Sequence, residues 1–138
     1  MIQRVQTLWL LLASACAFLS LKLSFYSGNK LVNNVKEFQS FTAMGNILLL
    51  ILTVAVGIAA LVTVFLYKDR KMQMKIGLVT AVVSIVNIVF YFSEIKNFTE
   101  GNYDLTAPLV FAVPVFILLA VRGIYKDEKL VKSVDRLR

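Results

Sequence analysis

Long stretches without charge divide this sequence into segments. Four stretches, of 17, 30, 18 and 17 residues, contain no Asp, Glu, Lys or Arg. A helix needs about 20 mostly apolar residues to cross the roughly 30 Å hydrocarbon layer of a bilayer. The stretches also lack the alternating polarity that a membrane-spanning strand requires. We therefore predict four transmembrane helices, at about residues 5–23, 44–67, 76–93 and 105–121.

The composition excludes several classes of protein. Apolar residues make up 59% of the chain, against roughly 45–50% in soluble domains, and this excludes a water-soluble globule. With no His and one Cys, the chain lacks the ligands of a His-bearing zinc site and the commonest general base. Apart from Lys22 at the end of the first span, no Asp, Glu, Lys or Arg lies within a predicted span, which argues against a proton-coupled transporter. We predict no catalytic residue, no metal or cofactor site and no enzyme activity.

The basic residues predict how the helices are oriented, because Lys and Arg concentrate on the cytoplasmic side of membrane proteins. With four alternating spans, most of the basic residues fall on one side, namely Arg4, Lys68, Arg70, Lys71, Lys75, Arg122, Lys126, Lys129, Lys132, Arg136 and Arg138. The other side holds Lys22, Lys30, Lys36 and Lys96. We therefore predict that both termini are cytoplasmic and that the connections at 24–43 and 94–104 lie outside.

Small and polar residues recur within the third predicted span at three- and four-residue steps. They are Gly77, Thr80, Ala81, Ser84 and Asn87, and this spacing places them on one helix face. Faces of this kind let membrane helices approach closely and form hydrogen bonds across the contact. We therefore interpret Ser84 and Asn87 as polar helix-packing residues. The alternative is that they line a pocket for a lipid or a small polar ligand.

The final segment, residues 122–138, predicts a basic amphipathic helix. Leu130, Val131, Val134 and Leu137 form an apolar stripe that Lys and Arg residues flank. Attraction to anionic lipid is one role for such a helix, worth about 1 kcal/mol for each basic residue near the surface. Docking to a partner protein through the same stripe is the other.

We expect this segment and the KDRKMQMK loop at residues 68–75 to form one cytoplasmic contact surface, called here the basic platform. Both segments fall on the side with the excess of basic residues. The predicted contacts of the basic platform with a partner protein or anionic lipid are Lys68, Arg70, Lys71, Lys75, Lys129, Lys132, Arg136 and Arg138.

Three segments of the chain carry a resemblance to a known family. MIQRVQTLWLLLA, FLYKDRKMQMK and RGIYKDEKLVKSVDRLR are similar to the segments that define domain of unknown function 4293, a family of small four-span bacterial membrane proteins. The resemblance covers nearly the whole chain. It implies a Bacteroidota-type inner-membrane location and the same four-helix topology, but no activity.

Together these observations predict an all-α integral membrane protein, a four-helix transmembrane bundle with a basic helical extension. The predicted function is that of a non-catalytic accessory or scaffold subunit in the bacterial inner membrane. It would present the basic platform to a protein partner or anionic lipid, or would self-associate, and no nucleic acid is expected to bind. The alternative is a small channel, transporter or lipid-binding carrier with a pocket near Ser84 and Asn87.

Overall fold

The computed structural model describes residues 3–138, with side chains from residue 5 onward, so the side chain of Arg4 lies outside the described part. Four long helices dominate it: α1 (Gln3–Lys22), α2 (Ile47–Phe65), α3 (Arg70–Ile95) and α4 (Ala107–Arg136). Each is long and apolar enough to cross a membrane. The four predicted helices are therefore confirmed, although α3 and α4 extend well beyond the predicted spans.

Polar side chains set the starts of α2 and α3. The side chain of Asn46 accepts a hydrogen bond from the backbone N–H of Leu48 at 3.0 Å, and that of Asp69 accepts from Met72 at 3.2 Å. Such caps satisfy N–H groups that have no partner inside the helix. The start predicted for the second helix, near residue 44, is too early because residues 43–45 form a 3₁₀ turn ahead of the cap.

The helices pack around a core of small side chains. α1 packs against α2 and α4, and α3 packs against the same two helices. The hydroxyl of Ser14 on α1 donates to the backbone oxygen of Gly57 on α2 at 3.2 Å, which shows how closely these helices approach. The buried residues at the centre are Ala13, Cys16, Ala17, Val56, Ala81, Val113, Ile117 and Val121.

The prediction of an all-α fold is correct for the four helices but misses a small sheet, because the connections at residues 24–43 and 94–104 both contain strands. They are β1 (Tyr26–Val32), β2 (Val35–Phe41) and β3 (Glu100–Tyr103), and they form one antiparallel sheet in the order β2-β1-β3. The β1–β2 hairpin turns at Asn33 and Asn34, whose φ angles of 52° and 65° fit a two-residue hairpin loop. β3 pairs with β1 across more than 70 residues of sequence, so this pairing cannot be predicted from local sequence.

Aromatic residues join the sheet to the helices. Phe25, which is buried between α1 and β1, contacts the rings of Tyr91, Phe92, Tyr103 and Phe111 at centroid distances of 4.6–6.4 Å. Rings in this range contribute about 0.5–1.5 kcal/mol per pair beyond their buried area. The sheet therefore sits firmly on one end of the helices, the sheet end. We call the opposite end, where α2 turns into α3, the basic end.

Candidate functional site

A groove at the basic end brings together the two segments of the basic platform. It has a volume of about 420 Å³ and lies between the α2–α3 turn and α4. Lys68, Arg70 and Lys71 line it from the turn, and Lys132 lines it from α4. Residues more than 60 positions apart in sequence thus share one surface.

The local structure explains why the turn presents its cations outward. The connection is short because α2 ends at Phe65 and α3 begins at Arg70. Within it, the backbone N–H of Asp69 donates to the oxygen of Leu66 at 3.1 Å. The Asp69 carboxylate caps α3, so it points at the helix start, while Lys68 and Lys71 remain exposed.

A second groove, of about 530 Å³, runs along the last turns of α4. Lys129, Lys132 and Arg136 line it together with Tyr125 and Leu137. Lys132 borders both grooves, so the two form a continuous surface. Six of the eight predicted contacts line this surface, and all of them are exposed except Arg70, which is half-buried.

The remaining predicted contacts lie elsewhere. Lys75 is exposed on α3, and Arg138 follows the last residue of α4. Neither is among the residues that line the two grooves. The part of the basic platform that lines the two grooves therefore consists of Lys68, Arg70, Lys71, Lys129, Lys132 and Arg136.

Only part of the positive charge in the grooves is neutralised by acidic side chains. Glu128 pairs with Lys132 one turn along α4 at 2.9 Å, as its i,i+4 spacing predicts. The Glu128 side chain is mostly covered, whereas that of Lys132 is largely exposed. The apolar stripe beside these charges is also exposed, at Leu130, Val131, Val134 and Leu137. The surface thus offers cations and uncovered apolar side chains together.

A buried carboxylate that sequence reasoning missed supports this surface from behind. Asp127 is 7% exposed, and the side-chain amide of Gln6 donates a hydrogen bond to it. The sequence predicted a separate helical extension over residues 122–138, but α4 runs unbroken through Asp127 from the fourth span. A signal was present, because Asp127 continues the three- and four-residue spacing of a buried face, namely Val113, Ile117, Ala120 and Ile124.

Ser84 and Asn87 lie on the buried face of α3, far from the basic platform along the helix. The side-chain amide of Asn87 donates to the hydroxyl of Thr53 on α2 at 3.1 Å. The hydroxyl of Ser84 donates to the backbone oxygen of Ala81 in its own helix at 2.7 Å. A cavity of about 10 Å³ adjoins both residues.

Comparison with known proteins identifies a family and no relative of known activity. No curated protein matches the chain, and no solved structure matches it. The family model described as a domain of unknown function, DUF4293, matches residues 2–137. The resemblance of the three segments is thereby confirmed, and the chain belongs to the DUF4293 family.

Proposed function

We propose that this protein is a non-catalytic accessory or scaffold subunit of the bacterial inner membrane, with both termini in the cytoplasm. In this proposal the four helices form a transmembrane bundle, and the basic platform binds the acidic surface of a partner protein or anionic lipid. The observation that carries it is the groove where Lys68, Arg70 and Lys71 meet Lys132. Two basic segments that are distant in sequence there form one exposed site.

The length of α4 supports a role in docking. Residues 122–136 add about 22 Å of helix beyond the predicted fourth span, at 1.5 Å per residue. A helix that continues unbroken from a span carries its cations and apolar stripe away from the hydrocarbon. An amphipathic helix that presents both kinds of side chain fits a groove or a complementary helix on another protein.

The charge distribution supports the proposed orientation. The basic end carries the α2–α3 turn and the last turns of α4, whereas Lys30, Lys36 and Lys96 lie at the sheet end. At the sheet end, the ammonium group of Lys36 lies 3.6 Å from the carboxylate of Glu100, and this pairing reduces the positive charge of that end further. An excess of unpaired Lys and Arg at one end favours placing that end in the cytoplasm.

The cavity beside Ser84 and Asn87 weighs against the alternative of a channel, transporter or carrier. Its volume of about 10 Å³ is close to the minimum for one water molecule. Pockets for small ligands span roughly 300–1,000 Å³. The proposal of a docking surface therefore has the stronger geometric support.

Charge reversal tests the platform. The variant combines Lys68→Glu, Arg70→Glu, Lys132→Glu and Arg136→Glu, and the control reverses two lysines at the sheet end, Lys30→Glu and Lys96→Glu. Both are purified from native membranes in mild detergent, and the associated proteins and lipids are quantified. We expect at least a tenfold loss of one acidic protein or anionic lipid in the platform variant alone. Unchanged association would overturn the proposal.

A reporter fusion tests the orientation. An enzyme that is active only outside the cytoplasm is fused after Arg138, and the same enzyme is inserted at the Asn33–Asn34 turn as a control. The terminal fusion should be silent and the turn insertion active. Activity of the terminal fusion would place the basic platform outside and reject the proposed orientation.

A further inference from the structure

The four helices enclose a small polar chamber in the half of the molecule nearer the sheet end. Its polar walls are Ser20 on α1, Thr53 on α2, and Ser84 and Asn87 on α3, and valines from α2 and α4 complete it. Its volume is about 10 Å³. We call this space the polar chamber.

One buried polar atom at the chamber has no hydrogen-bond partner among the described residues. It is the side-chain oxygen of Asn87, a residue 5% exposed. Buried polar groups in native proteins are almost always satisfied, and lipid around the helices supplies no partner.

The donors and acceptors around the chamber match what one water molecule offers. Ser20 and Ser84 already donate their hydroxyl protons to backbone oxygens within their own helices at 2.7 Å. Their oxygens, with that of Asn87, are therefore available as acceptors. Thr53 accepts from the Asn87 amide, and its hydroxyl can also donate a hydrogen bond. A water molecule can donate two hydrogen bonds and accept two, so it can satisfy both kinds of group.

We propose that the polar chamber binds one water molecule, which hydrogen-bonds to Asn87 and links α3 to α1 and α2. The volume fits, because a buried water needs about 10–15 Å³ measured in this way and two to four polar partners. A metal cation does not fit this set of uncharged oxygens, because no negative charge there would compensate for the hydration that the ion loses on burial. A larger ligand is excluded by size.

The surroundings predict that this water exchanges slowly. On the sheet side, the chamber is covered by the buried cluster of Phe25, Phe41, Leu49 and Tyr91. On the other side, the small-residue core around Ala13, Cys16 and Ile117 closes it. Exchange therefore requires the helices or the aromatic cluster to open, which takes microseconds or longer.

A minimal enlargement of the chamber wall tests the proposal. Val113 is buried and lines the chamber, so Val113→Ile places one extra methylene where the water would sit. The matched control is Val82→Ile, because Val82 is exposed on the outer surface of α3. Magnetic relaxation dispersion of water in detergent counts the long-lived internal waters, and thermal unfolding reports stability.

We expect Val113→Ile to lose one long-lived water and to unfold at lower temperature, with neither change in Val82→Ile. An unchanged water count together with a higher unfolding temperature would overturn the proposal, because filling a dry void stabilises a protein. A high-resolution structure of the unmodified protein decides the matter even if Val113→Ile fails to fold. Density within hydrogen-bond distance of the Asn87 oxygen supports the water, and a resolved chamber without density rejects it.

Discussion

The side-chain amide of Gln6 donates a hydrogen bond of 2.5 Å to the carboxylate of Asp127, a residue 121 positions later in the chain. This contact joins the first helix to the last at the basic end. Gly123 makes room for it, since a Cβ atom there would lie 2.9 Å from the Gln6 side chain. The position of the α4 extension, and with it the basic platform, thus depends on two buried polar groups.

Removing the donor should loosen the basic end. In Gln6→Ala the buried Asp127 carboxylate loses the hydrogen bond that the Gln6 amide donates to it. Leaving a buried polar group without a partner costs about 1–3 kcal/mol of stability. We expect a lower free energy of unfolding in detergent by that amount. Gln39→Ala, at an exposed position of β2, is the matched control and should be neutral. Equal stability of the two variants would mean that the contact contributes nothing.

Enlarging Gly57 should separate α1 from α2. A Cβ atom at this position would lie 2.9 Å from the ring of Phe18 on α1, and overpacking of a core typically costs about 1–3 kcal/mol. Gly57→Leu should therefore unfold at lower denaturant concentration than the unmodified protein. Ala55→Leu adds a comparable volume two residues away, on an exposed face of α2, and should not. A similar loss of stability in both variants would show that helix propensity or membrane insertion, and not the packing of α1 against α2, is responsible.

A side chain at Gly28 should split the sheet. An added Cβ would lie 2.2 Å from the backbone oxygen of Glu100, and backbone atoms in a paired strand cannot easily move aside. In Gly28→Ala we expect faster hydrogen exchange at Thr99 and Asp104, whose N–H groups donate to the oxygens of Asn29 and Phe25.

The control for this prediction is Gly45→Ala. Nothing lies within 4 Å of a Cβ atom added at Gly45, so exchange at the same two amides should not change. If Gly28→Ala leaves them equally protected, β1 and β3 tolerate a wider separation than their close backbone approach indicates.

The contact between Asn87 and Thr53 should be measurable as a coupling between α2 and α3. We expect a double-mutant cycle of Asn87→Ala and Thr53→Val to give a coupling energy of about 0.6 kcal/mol and at most about 1.7 kcal/mol, the average and the maximum for hydrogen bonds between membrane helices. Each substitution removes one partner of the 3.1 Å bond. Additive effects of the two substitutions on unfolding would show that the bond is not formed in the folded protein.

Several features could be read from local sequence alone. The positions of the helices follow from the gaps between charges, and the inward face of α3 follows from the spacing of Gly77, Ser84 and Asn87, which are all buried. The pairing of Glu128 with Lys132 also follows from spacing. These features depend on neighbours within one or two helical turns, so the chain specifies them before it folds.

Other features depend on residues that meet only after folding. The third strand pairs with the first through residues 100–103, and Lys68 reaches the groove of Lys132 only because the α2–α3 turn packs beside α4. Asp127 continues the spacing of the buried face of α4, but its hydrogen-bond partner Gln6 comes from the other end of the chain. Long uninterrupted apolar stretches determine which segments become helices. The burial of side chains, the pairing of strands and the shape of a binding surface depend instead on how segments far apart in sequence pack together.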